Sequence, residues 1–438
     1  MTDMIEHVVI GGGCAGLACA TQLASCGKSV LVVEKKNHLG GRTASFFNKQ
    51  ASDTIDNGQH LFLGCYQQTQ RFLHRIGSLH HLEFSSRFVT EMMGKEFGAA
   101  RLKPAKLPGP LHLLPSIATF RAFPLLDRLR FLQIGKALFF STKKLKNMSV
   151  FELLTVCGQS PLLIARFWEP LVLATLNAEM KDISADYLVA VLRLGFMSSY
   201  KNSLTGLSRV GLSELIANPS QDFLNQHGGK IQRGDSVESI ATMDEGTLLV
   251  QLHSGKKIHC QSLTLAIPPK ALKKIKLDQS PILQSYVESL TDFEPSPIYS
   301  YHVWLDQELF ESTYIGFVDH PIQWIFRNSA YMHHKKNCYS CVISARDELA
   351  LKTKEEIRKI LTDMFSEYFP QKKVSILHVV QSHEREATWI GKIGQKRVSF
   401  QTPLPNVFLA GDWTDTGLPC TIESAVLSGH LVADHLLL

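Results

Sequence analysis

The chain has 438 residues, more than a single hydrophobic core ordinarily supports, so two domains are expected. With 45% hydrophobic and 20% charged residues, its composition is that of an ordinary globular protein and excludes a disordered or fibrous one. The net charge of +6 is concentrated in one place: ten basic residues against Asp127 alone lie between Arg101 and Lys146, a local +9 that leaves −3 for the rest.

Residues 5–35 read as strand, glycine turn, helix, strand. His7-Val8-Val9-Ile10 enters Gly11-Gly12-Gly13-Cys14-Ala15-Gly16, a helix is expected over 14–25 with Gly27 as its stop, and Val30-Leu31-Val32-Val33 is apolar on both faces. Five prolines between 101 and 124 exclude a long helix there and suggest a loop or flap. Helical periodicity follows over 125–145, over 149–178 with interruptions at Pro161 and Pro170, over 184–196 and over 212–227. Strands are expected at 230–232, 236–240, 247–253 and 257–265. Residues 298–305, 322–327 and 338–344 suggest a second sheet, before a helix over 354–369 and a strand over 374–381. No apolar run reaches the length of a spanning helix. Nine scattered cysteines, without a framework spacing or an apolar leader, suggest a reduced, cytoplasmic chain. The lone Cys338-Tyr339-Ser340-Cys341 lacks the second pair that a zinc site needs, so no metal is expected.

Chemistry concentrates at the two ends. In Gly11-x-Gly13-x-x-Gly16 the first glycine makes a tight turn, the second lets backbone approach a pyrophosphate, and the third lets helix pack on strand. The phosphates would then face the positive end of the helix. Glu34, 18 residues after Gly16, can accept both hydroxyls of an adenosine ribose and would repel a 2′-phosphate. Gly40-Gly41-Arg42 suits a close backbone contact in which a guanidinium neutralises pyrophosphate, although a surface arginine after a turn is also open. Near the carboxyl end, Val407-Phe408-Leu409-Ala410 runs into Gly411-Asp412, where Asp412 can bond the ribityl or phosphate region of a flavin. Thr421-Ile422-Glu423 begins a helix whose dipole would face the flavin pyrimidine ring.

The stretches Asp56-Asn57-Gly58-Gln59-His60 and Gly411-Asp412-Trp413-Thr414-Asp415-Thr416-Gly417, with Trp168-Glu169-Pro170-Leu171 and Ala266-Ile267-Pro268-Pro269 between them, make the chain similar to the bacterial hydroxysqualene dehydroxylases. These are FAD-dependent relatives of the phytoene desaturases within the flavin amine oxidase superfamily. The resemblance implies an α/β fold, with a Rossmann-type FAD-binding domain (1–85, 205–270 and 395–438) interleaved with an α+β substrate-binding domain (86–204 and 271–394). It adds Ala15, Gly58, Gln59, His60 and Val237 to the cofactor contacts. Ser424 stands where a glycine is usual and Cys420 where alanine is commoner. No cysteine precedes Gly411 at the position of covalent flavin attachment, so non-covalent FAD is implied.

The implied reaction is reductive removal of an allylic hydroxyl from hydroxysqualene, giving squalene and water. A polyene desaturase or amine oxidase running oxidatively is the alternative. Hydroxide leaves poorly, so a proton donor is needed; His60, Asp415 and Asp56 are the candidates. His60 could instead be structural, and Asp415 could cap the following helix. A water-insoluble substrate and the basic, leucine-rich 125–145 stretch suggest peripheral docking on the anionic inner face of the cytoplasmic membrane. A core-packed helix with a solvated basic face is the competing reading. Association with other squalene-pathway enzymes is compatible with this picture. Nucleic acid is not an expected partner, because no binding module accompanies the basic stretch.

Overall fold

The computed structural model describes residues 4–49, 51–243, 246–277, 279–332 and 336–438. Its first sheet contains Ile5–Ile10, paired in parallel with Val30–Glu34 on one side and Lys257–Leu265 on the other. Lys230–Arg233 extends it beyond Val30–Glu34. The carboxyl-terminal part of Lys257–Leu265 also takes Val407–Leu409 in parallel, while its first residues pair antiparallel with Leu248–Leu252, itself paired with Val237–Thr242. Val8, Val9, Val32, Leu263 and Leu409 are fully buried, as a parallel sheet covered on both faces requires.

One covering layer is the helix Cys14–Ser25, buried along all of its length except the last residue. Ile422–Leu436 packs directly on it. Gly429 makes that approach possible: a Cβ there would sit 2.1 Å from the Ala15 carbonyl oxygen. Backbone bonds from Gly11 N to Val33 O and from Ala410 N to Leu265 O gather the loops leaving these parallel strands at one sheet edge. That edge is where open α/β sheets bind ligands.

The second sheet has the order Ile376–Trp389, Pro295–Leu305, Cys338–Ser344, Trp324–Arg327, Tyr314–Phe317, Thr90–Gly94, Gly98–Leu102. The helix Lys354–Tyr368 buries Ile357, Leu361, Met364, Phe365 and Tyr368 in the core shared with this sheet, and Thr353 with Glu356 closes its start in a capping box. Between the strands of the two sheets the chain builds a helical lobe whose core includes Phe123, Phe131, Phe167 and Trp168. The Phe131 and Trp168 rings stack 5.2 Å apart.

Several elements differ from the sequence expectation. The 125–145 stretch is a helix over Leu125–Leu132, a 3₁₀ segment over Gln133–Phe139, and a new helix over Thr142–Lys146 capped by Ser141. Within it Ile134 is buried in the lobe core. At Pro170 and Pro219 the helix is not broken but widened, with π-helical turns over Ile164–Trp168 and Ser213–Ala217 just ahead. A proline nitrogen cannot donate back, so the preceding turn loosens. Leu114–Thr119 forms a short helix with Pro115 in its first turn inside the proline-rich stretch. The strand expected over 374–381 runs on to Trp389 because it pairs along nearly the whole of Pro295–Leu305. Thr90–Gly94, Gly98–Leu102 and Tyr314–Phe317 add strands to the second sheet beyond those the sequence pattern marks.

Candidate flavin site

The nest at the start of Cys14–Ser25 combines crowding and space. Gly11 adopts φ +109°, and a Cβ on it would meet the Ala266 carbonyl oxygen at 2.4 Å. On Gly16 a Cβ would meet the Gly11 carbonyl oxygen at 2.0 Å. Gly13 is the exception, since a Cβ there would meet nothing within 4 Å. It is also the helix N-cap, with no side-chain cap and no acidic residue in the first turn, so the outward N–H groups are left to a ligand. Crowding therefore fixes the loop, and the open position lies where a phosphate would approach.

Glu34 locks the rim. Its Oε2 accepts from Gly12 N at 2.7 Å and its Oε1 from Lys36 N at 2.8 Å, which fixes the carboxylate at the strand end where a ribose would lie. Gly40 bridges to Gly13 and donates to Gly12 O, bringing the Gly40-Gly41-Arg42 turn against the nest. Val237 lies buried at the start of its strand.

Arg42 joins the two ends of the chain. It donates from Nη2 to Asp412 Oδ1 at 2.7 Å and from Nη1 to Ala387 O at 2.8 Å. Burial lowers its pKa, but the Asp412 carboxylate more than offsets this and raises it overall. Arg42 is thus a half-buried, ion-paired cation held beside the glycine nest. Arg397, which sequence reasoning missed, braces the same loop by donating to the Asp412 and Leu418 carbonyls and lying against the Tyr187 ring. No local motif marks it.

The Thr421-Ile422 helix start is well formed. Thr421 Oγ1 accepts from Ser424 N, so Thr421 is the cap, and Asp415 is not. Ser428 accepts from Gly411 N at 2.8 Å, tying the strand exit to the helix. Ser424 is fully buried, with its hydroxyl 2.7 Å from Thr416 Oγ1, so the residue replacing the usual glycine is taken up by the protein. Glu423 accepts from Gln68 N and from both Thr69 N and Thr69 Oγ1, closing the start of the helix Gln67–Arg75. Burial raises its pKa against those donors.

The Asp56–His60 loop is held from both sides. Asp56 Oδ1 accepts from Ser45 Oγ at 2.6 Å and Leu212 N at 2.9 Å, a structural use of that carboxylate. Asn57 bonds Glu384 and Ser382 of the second sheet. The Tyr331 hydroxyl lies 2.8 Å from Gln59 Oε1 and 2.9 Å from Asn328 Oδ1. His60 Nδ1 lies 2.9 Å from Gly58 O. A carbonyl only accepts, so Nδ1 carries hydrogen and Nε2 is the basic nitrogen. Burial lowers the His60 pKa below the usual imidazole value, while Gly58 and Asp56 act to raise it. Asp415 is exposed and lines a cavity of about 180 Å³ with Lys146, Asp186, Tyr187, Arg193 and Arg397.

Residues 14–437 match the family of flavin containing amine oxidoreductases. The chain belongs to that family. Among curated relatives, the hydroxysqualene dehydroxylase of Sinorhizobium fredii is 28% identical over 97% of both chains. That of Rhodopseudomonas palustris is also 28% identical over 97% of both. An oxidoreductase from Methanosarcina mazei shares the fold, with a TM-score of 0.75 at 17% identity, covering 98% of this chain and 100% of that one. Membership of a family of flavin oxidoreductases fits this geometry: the open Gly13 position, the uncapped helix start and the ion-paired Arg42 suit the phosphate of a flavin cofactor.

Proposed function

We propose that this protein is an FAD-dependent oxidoreductase that reductively removes the allylic hydroxyl of hydroxysqualene to give squalene and water, with its FAD bound non-covalently. End-to-end similarity to hydroxysqualene dehydroxylases carries this reading. When bound, reduced FAD supplies the hydride. The chain supplies the rest. Gly11 to Gly16 and the helix they open receive the pyrophosphate, with Arg42 adding positive charge at the rim. Glu34 selects an unphosphorylated ribose, and the start of Ile422–Leu436 presents its dipole to the flavin ring.

The hydroxyl leaves as water only if a proton reaches its oxygen. His60 is assigned that task. The Asp56–His60 loop is tied at Asn57 to the second sheet and at Gln59 to Tyr331, and this support of the loop that carries the imidazole favours the assignment. Its Nδ1 is committed to Gly58, so Nε2 is the nitrogen that takes up and passes on the proton. The atoms balance: the substrate loses hydroxide, which gains the proton to become water, and the carbon gains hydride.

The test is anaerobic incubation of chemically reduced holoprotein with hydroxysqualene, reading squalene by mass spectrometry and flavin reoxidation by absorbance. Stoichiometric squalene is expected. Failure to form squalene, or oxidation of a polyene or amine by the oxidised protein instead, overturns the reading.

A further inference from the structure

The helix Leu125–Leu132 is apolar on two faces. Its inward face places Phe131 in the lobe core. Its outward face carries Leu125, Leu126, Leu129 and Leu132 into solvent, with Leu125 76% and Leu129 66% exposed. Phe139, at the end of the following 3₁₀ segment, is 89% exposed. The neighbouring helix Leu114–Thr119 packs beside Leu125–Leu132 and adds exposed Leu114, and the segment before it adds exposed Leu107 and, in the 3₁₀ turn Leu111–Leu113, exposed Leu111. Single exposed leucines need no explanation; so many on one helix face and its packed neighbour mark a binding surface.

The charge around this patch is one-sided. Arg121, Lys136, Lys143 and Lys146 are exposed and form no ion pair among the described residues, and Lys144 lies over the Phe140 ring at 3.8 Å. Not every basic residue of the segment is available. Arg128 donates to the Phe123 and Ala118 carbonyls, and Arg130 pairs with buried Asp127 at 3.1 Å. Those two arginines hold the helix in place, and the lysines are left facing outward.

We infer that this leucine-and-lysine face docks the protein on an anionic lipid bilayer, with the leucines and Phe139 entering the interface and the free lysines meeting lipid phosphates. A second copy of the chain is a poor occupant because two such faces repel each other. No helix among the described residues is long and apolar enough to cross a membrane, so attachment is lateral. Docking of this kind suits a water-insoluble substrate, and the exposed leucines and lysines that support it are independent of the proposed reaction.

The experiment is flotation of flavin-loaded protein with phosphatidylcholine vesicles, with and without phosphatidylglycerol, at low and high salt. Binding is expected to the anionic vesicles and to weaken with salt. The triple variant Leu125→Ser, Leu129→Ser, Phe139→Ser and the triple variant Arg121→Glu, Lys136→Glu, Lys143→Glu should each bind at least about tenfold more weakly. All six positions are exposed, so unchanged flavin content and melting temperature show that the fold persists. Three results overturn the inference. They are wild-type protein that ignores anionic vesicles, variants that bind as wild type does, and a wild-type dimer in sedimentation that the serine variant disperses. None depends on turnover, so failure here and failure of the squalene assay are separate results.

Discussion

Gly429 and Ala15 are the point where the two ends of the chain touch: a single added carbon at Gly429 would fall 2.1 Å from the Ala15 carbonyl oxygen. The helix that opens at the glycine nest and the carboxyl-terminal helix are therefore packed backbone to backbone. Gly429→Val should force them apart. Overpacking of this sort costs about 1–3 kcal/mol, and more where backbone cannot yield. Thermal unfolding should show a lower melting temperature together with reduced flavin content. An unchanged melting temperature would mean that the two helices do not define the site.

Gly13 tests the nest from the opposite direction, because its side-chain position is empty of protein atoms. Gly13→Asp should fold with a near-normal melting temperature when flavin-free, yet purify without yellow colour, since its carboxylate would repel a pyrophosphate. Gly13→Ala should retain some flavin. Full occupancy in the aspartate variant, read from the absorbance ratio, would place the phosphates elsewhere.

The His60 assignment predicts a pH dependence. Burial sets its pKa below the ordinary imidazole value, so the protonated form accumulates only as pH falls below about 6.5. Single-turnover squalene formation should accordingly rise as pH is lowered through that range. His60→Gln should lose about a hundredfold in rate and flatten the limb while keeping flavin bound. A limb that survives in His60→Gln would assign the proton to another group.

Two buried histidines predict acid sensitivity. His430 receives a hydrogen bond from Arg75 at Nε2 and faces Gln68 Oε1 through Nδ1, and its pKa is pulled down to about 3 by burial and by Arg75 and Arg71. His7, between Ser262 and Thr264, is likewise held at about 3 by burial. The unfolded chain takes up these protons near pH 6.5 and the folded one does not. Stability is therefore full above pH 6.5 and falls as pH drops toward 3, by about 2 kcal/mol for each histidine at pH 5. Urea unfolding at pH 7 and pH 5 measures this. His430→Gln should be less stable at pH 7 and lose less on acidification; an equal loss in the variant would contradict the assignment.

Much of the cofactor half was legible in the sequence because its determinants are local. The Gly11-x-Gly13-x-x-Gly16 turn, the doubly apolar Val30–Glu34 strand and the Thr421 helix start each follow from steric and hydrogen-bonding demands on a few consecutive residues. The second sheet was only half legible. Thr90–Gly94 and Gly98–Leu102 form a hairpin that joins this sheet only because Tyr314–Phe317, more than two hundred residues away, pairs with Thr90–Gly94, and no local pattern records a distant edge. For the 125–145 stretch the sequence showed a basic amphipathic segment and left its apolar side open to the core or to a membrane, and packing alone revealed which leucines lie outside.

The sequence by itself determined a glycine-lined nucleotide turn, a matching carboxyl-terminal helix and a concentrated basic segment, since each depends on neighbours along the chain. Tertiary structure decided that Arg42 pairs with Asp412, that Tyr331 meets Gln59, and that Asp56 is spent on Ser45 and Leu212. Three of these four contacts join groups more than one hundred and fifty positions apart. A hydrogen bond reads distance in space, whereas sequence periodicity reads only distance along the backbone.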